Sequence, residues 1–80
     1  MNIKEFLNRY RIKTLNDLGI LEDFEELMKP WLDANIYKLG NGTTTLRAII
    51  ERAKSHDPEA LAYIQNMINN WLKHEEEGLI

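Results

Sequence analysis

Eighty residues, 44% of them apolar, make one globular domain with a small core. The chain has no cysteine, which excludes disulfides and thiolate metal sites, and no apolar run long enough to span a membrane. Its formal net charge is −3, an acidic balance that argues against a broad polyanion-binding surface.

The first predicted element is a helix over about residues 2–12. Ile3, Phe6, Leu7 and Tyr10 keep the i, i+3, i+4, i+7 spacing, and Asn2 is the candidate N-cap. Charges interrupt this opening stretch and no small-residue cleavage site follows it, so it does not read as a signal peptide. A soluble, cytoplasmic protein is the expectation. Next, "TLNDLGI" predicts a short helical turn near 14–19, with Thr14 as cap and Gly19 ending it in the left-handed conformation.

From Leu21 to Leu39 the residues Phe24, Met28, Leu32 and Ile36 stay in helical phase, with Leu27 and Trp31 beside them. Because the phase survives Pro30, the prediction is one helix kinked at that proline. Gly40 would end it, Asn41 and Gly42 would turn the chain, and Thr43 or Thr44 would cap a third helix to about Ser55. The alternative for 35–46 is a small hairpin, "NIYKL-GNG-TTTL", since isoleucine, tyrosine and threonine favour strands and glycine favours tight turns. The fourth helix has the clearest start, with Asp57 as N-cap, Pro58 in the first turn and Glu59 favourable to the helix dipole. Ala60, Leu61, Ile64, Met67, Ile68, Trp71 and Leu72 line its apolar face, and three consecutive glutamates predict fraying over 72–80.

The predicted fold is therefore all-α: one domain over 1–80, a bundle of four main helices with a short extra turn. Its charges come in blocks. Residues 1–13 carry +3, residues 14–33 carry −5, residues 34–54 carry +3 and residues 55–80 carry −4. Alternating blocks in a helical chain predict pairing between neighbouring elements of opposite sign.

Candidate chemistry is sparse. "GNGTTTLRAI" has glycines before a helix, but it lacks the lysine of a phosphate loop and the preceding buried strand of a dinucleotide site. A turn and a threonine cap explain every residue of it. His56 and His74 have no partner ligands at metal spacing, and Ser55 beside His56 cannot form a nucleophilic pair, because adjacent residues do not face each other. No catalytic residue, cofactor site or metal site is assigned, and the protein is read as a non-enzyme.

The remaining candidates are surfaces. Glu22, Asp23, Glu26 and Asp33 form an acidic face, with Glu22, Glu26 and Asp33 on one stripe with Lys29. Arg47 and Lys54 share one side of the third helix around Glu51, and Arg52 points to the other side. Tyr37 and Tyr63 flank the apolar faces as candidate anchors, while Trp31, Trp71, Phe6, Phe24 and Tyr10 are assigned to the core. The leading functional expectation is a protein–protein interaction module. It would be a small regulator, adaptor or inhibitor of the kind a phage or mobile element encodes, acting on a partner protein or as a homodimer. The alternative is a small nucleic-acid-binding transcriptional regulator that uses the helix starting near Thr44.

Overall fold

The computed structural model describes residues 1–10, 18–34 and 36–80. Within them the chain is mostly helical, with a two-stranded antiparallel sheet inserted between its second and third helices. The elements in order are α1 (Ile3–Tyr10), α2 (Leu18–Leu27), a 3-10 turn (Lys29–Trp31), β1 (Ile36–Leu39), β2 (Gly42–Thr45), α3 (Leu46–Lys54) and α4 (Pro58–Glu76). The all-α expectation therefore holds for most of the chain and fails over 36–45, where the hairpin alternative is the one that forms. The predicted turn near 14–19 falls largely outside the described residues; Gly19, expected to end it, lies inside α2.

α1 starts as expected. The Asn2 side-chain oxygen accepts from the Glu5 N–H at 2.8 Å, and the helix buries Phe6 and Leu7. Phe6 meets Phe24 of α2 edge-on, with ring centroids 5.9 Å apart, and Trp71 of α4 at 6.1 Å; Phe24 and Trp71 lie 5.7 Å apart. These three rings join three helices and make favourable offset and edge contacts beyond their burial.

The predicted kinked helix does not form. Pro30 has no N–H to give and its ring clashes with the preceding turn, so α2 stops at Leu27. The chain tightens to 3-10 geometry, with the Trp31 N–H donating to the Met28 carbonyl at 2.8 Å. In a continued α-helix Trp31 would sit seven residues beyond Phe24 and on the same face. The tighter winding breaks that phase. Leu32 keeps the buried place its spacing predicts, while Trp31, assigned to the core from sequence, is left 49% exposed.

The hairpin pairs Ile36 with Thr45, Tyr37 with Thr44, Lys38 with Thr43 and Leu39 with Gly42. The loop is thus two residues, Gly40-Asn41, not three. Gly40 has φ +62°, and Asn41 is not among the positive-φ residues, the combination a type II′ turn asks for. Gly40 ends no helix. Alternation then decides the faces: Tyr37 and Leu39 point toward the helices, while Ile36 and Lys38 point to solvent. Thr43 and Thr44 are spent in β2, so the cap of α3 falls to Thr45, whose hydroxyl accepts from the Ala48 N–H at 3.3 Å. Its extended backbone suits both the last position of a strand and an N-cap.

α3 buries Leu46, Ile49, Ile50 and Ala53 against Ala60, Ile64 and Ile68 of α4. Asp57 caps α4 as expected, accepting from the Glu59 N–H at 2.9 Å. Both helices end in Schellman motifs. At the end of α4 the Gly78 N–H donates to the Glu75 carbonyl and the Leu79 N–H to the His74 carbonyl. At the end of α3 the His56 N–H donates to Ala53 and the Asp57 N–H to Arg52. The left-handed position there is His56, φ 64°, where glycine is the usual residue.

A side chain at that φ costs on the order of 1 kcal/mol. His56→Gly is expected to stabilise the protein by about 1 kcal/mol, or about 4–8 °C in Tm for a domain of this size. Thermal or urea denaturation followed by circular dichroism measures it; an unchanged or lowered midpoint would contradict the strain.

Candidate partner-binding surface

The charged residues singled out from sequence mostly find each other. Asp33, just after the 3-10 turn, receives two side-chain nitrogens of Arg47, with the Nε–Oδ1 distance 3.1 Å and the Nη2–Oδ2 distance 2.9 Å. The bidentate hydrogen bond from Arg47 holds the Asp33 carboxyl below its ordinary range, and the same bond raises the Arg47 guanidinium, aided by the charges of Asp33, Glu25 and Glu51. Lys54 lies 3.2 Å from Glu25 of α2 and 3.8 Å from Glu51 on its own helix. Asp23 lies 3.2 Å from Arg9 of α1. On the other side of α3, Arg52 reaches the cap residue Asp57 at 2.7 Å. That contact is the main reason the Asp57 carboxyl is lowered; the Ala60 and Glu59 N–H groups add to it. Each of these pairs links a basic block to an acidic neighbour along the chain, except the contact of Lys54 with Glu51 inside one helix, so the block pattern reads as an internal pairing scheme.

Arg47, Lys54, Asp23 and Asp33 are therefore occupied within the fold, and the three basic side chains of α3 face carboxylates. Glu22 and Glu26 behave differently. They have no partner among the described residues, and they line a depression of about 300 Å³ with Glu25, Lys29, Leu32 and Arg47. The expected stripe of Glu22, Glu26 and Lys29 is thus one surface, with Asp33 turned to Arg47. Tyr37 of β1 and Tyr63 of α4 meet edge-on, with centroids 6.1 Å apart. Burial pushes the Tyr63 hydroxyl above its usual range, and the neighbouring Tyr37 adds to the effect. These tyrosines close the hairpin onto α4 and make one patch of two half-buried rings.

One apolar surface among the described residues was not singled out from sequence. A groove of about 620 Å³ runs between the start of α1 and the end of α2, lined by Met1, Ile3, Leu27, Met28, Pro30, Trp31 and Ile80, with Asn2 and Lys4 at its polar margin. Met1, Trp31, Ile80 and the adjacent Leu79 are among the large apolar side chains left exposed. Two signals in the sequence point to it. One is the proline directly before Trp31, which ends the helix that would have buried the indole. The other is the pair Leu79-Ile80 placed after three glutamates.

Among the described residues no group of three or more metal-ligating side chains converges, and no helix is long and apolar enough to cross a membrane. No protein-family model, curated protein or solved structure matches the chain. Any role for these residues therefore rests on their geometry.

The lowered carboxyls carry a pH signature. Asp33 and Asp57 titrate lower in the folded chain than in the unfolded one, so their contribution to stability is present above about pH 4, the unfolded value, and is lost as pH falls through the folded values. Midpoints measured from about pH 6 to about pH 3 should fall at the acid end. Arg47→Met should make that fall shallower while leaving the Asp57 part, held by Arg52, in place. An unaltered acid slope in Arg47→Met would remove the Asp33–Arg47 pair as a contributor.

Proposed function

We propose that this protein is a non-enzymatic protein–protein interaction module, a small regulator, adaptor or inhibitor that acts by occupying another polypeptide's surface. The observation that supports this most directly is the half-exposed Trp31 that lines an apolar groove. Tryptophan concentrates binding energy at interfaces, because a rigid indole buries a large area at little entropic cost. A groove built from Met, Ile, Leu and Pro around it has the make-up of an interface centre, and Lys4 and Asn2 supply part of a polar margin. The acidic ledge of Glu22 and Glu26 lies on the other side of the same 3-10 turn and would set charge preference at the edge.

The nucleic-acid alternative needs free cations on α3. Arg47, Arg52 and Lys54 each face a carboxylate within 4 Å, so a phosphate would have to displace an existing ion pair at each one. No observation favours that reading over the groove.

Trp31 itself provides the test. With Trp71→Phe as background, Trp31 is the only indole and its emission reports the groove. Polypeptide binding there should shift that emission to the blue and protect it from acrylamide. Trp31→Ala should weaken association by about 30-fold or more, the loss expected at an interface hot spot. It should leave the thermal midpoint within a few degrees, because the indole lies outside the core. If affinity for every polypeptide retained by the wild-type chain survives Trp31→Ala, the groove is not the binding surface.

A further inference from the structure

Resting on the reading of the groove as a binding surface, we infer that its occupant is a second copy of this chain, joined across a two-fold axis. Three observations on one end of the molecule carry this.

The first is shape. A two-fold interface must be self-complementary, with a projection and its recess on the same face. The recess is the Trp31 groove. The projection is Leu79, 70% exposed and next in the chain to Ile80, which lines the groove's edge. In a Schellman motif the apolar residue at this position usually folds back onto the last helical turn. Leu79 makes the motif's backbone bond to His74 at 2.9 Å, yet its side chain stands in solvent. It is held by the backbone and left uncovered by its own helix.

The second is charge. Most charged side chains elsewhere on the molecule are paired, but the ones around this face are not. Lys4 at the groove margin has no partner among the described residues, and neither have Glu76 and Glu77, which lead into Leu79. Lys4 borders the recess, and Glu76 and Glu77 lead into the projection, with Lys73 one turn before them. Seating Leu79 of one copy in the groove of the other brings Glu76 and Glu77 toward the partner's Lys4, twice over by symmetry.

The third is area. Met1, Trp31, Leu79 and Ile80 together expose on the order of 400 Å² of mostly apolar surface, within the range of the largest patch on an ordinary monomer and below the roughly 800 Å² per partner of a standard stable interface. The expected dimer is therefore weak and concentration-dependent, with Kd of about 10–100 μM. A two-fold pairing at this end leaves the Glu22/Glu26 ledge open to a third party.

Sedimentation equilibrium of the full chain from about 5 to about 500 μM should show the mass rising from one chain to two across that range of Kd. Leu79→Glu and Trp31→Ala should each hold it at one chain throughout. The decisive measurement is a charge swap. Lys4→Glu alone places like charges against Glu76 and Glu77, and Glu76→Lys/Glu77→Lys alone places them against Lys4. Each should weaken dimerisation by roughly tenfold, while an equimolar mixture restores it to within about threefold of wild type. An interaction within one chain could not be rescued by mixing. A wild-type chain that stays at one chain's mass at about 500 μM, a dimer indifferent to Leu79→Glu, or a mixture no stronger than its components would each overturn the inference. The reading beneath it fails separately: a monomeric wild type whose binding to another protein is abolished by Trp31→Ala keeps the groove and loses only the second copy.

Discussion

Pro30 is the constraint on which the arrangement turns. A proline in that position can neither donate to the helix ladder nor tolerate the carbonyl four residues before it, so α2 ends and the chain passes through a turn of tighter pitch. Leu32 keeps the buried position expected for it, and two consequences follow from the tighter turn: Trp31 swings out to line a groove, and Asp33 comes within reach of Arg47 on α3. The Leu32 carbonyl accepts the Arg47 N–H at 3.2 Å, so the segment just after the proline is tied by backbone and side chain to the first turn of α3. The hairpin between these two anchors is closed off by that tie.

Much of this was legible in the residues. Apolar spacing located the buried faces of α1, α3 and α4, and Asn2 and Asp57 were identifiable as caps because each is a short polar side chain one step before an apolar period. The alternation of charge blocks carried over to three dimensions, since oppositely charged segments that adjoin in sequence are packed as neighbours. What failed was the segment between Met28 and Thr45. Leu32, Ile36 and Leu39 satisfy a helical period, and residues 36–39 satisfy a strand as well, so periodicity alone could not arbitrate. Local chemistry decided it. Pro30 stopped the helix, β-branched and aromatic residues at Ile36, Tyr37 and Thr43–Thr45 favoured the strand, and Gly40 supplied the positive φ of a two-residue turn.

The same error hid the candidate site. Once Trp31 is assigned to a continuing helix it belongs to the core, and the only aromatics left for a surface are Tyr37 and Tyr63. Those two meet edge-on and close the hairpin onto α4, so they help to hold the fold. Likewise the charges that looked like docking residues, Asp23, Asp33, Arg47 and Lys54, are consumed by internal pairs. Reading a charge as available requires knowing what faces it across the fold, and that is a tertiary fact. Side chains without an ion pair among the described residues, such as Glu22, Glu26 and Lys29 around one depression and Lys4, Glu76 and Glu77 elsewhere, emerge only after the pairs have been subtracted.

That division of charge bears on why apolar side chains sit outside so small a core. A chain of this length buries a modest fraction of its surface, and it has no disulfide to compensate. Covering a large apolar side chain is worth about 1.5–3 kcal/mol, a sizeable part of the net stability of such a domain. Met1, Trp31, Leu79 and Ile80 forgo that gain within the monomer, and all but Leu79 line one groove. The described core is itself closed, with no buried polar side-chain atom lacking a hydrogen-bond partner and the Phe6, Phe24 and Trp71 rings in mutual contact. The exposed group is therefore not surplus from a poorly packed interior. It sits apart from that interior, with Pro30 turning the indole outward and the Gly78 cap fixing the backbone before Leu79, and the association proposed above would be the means by which its burial stabilises the fold.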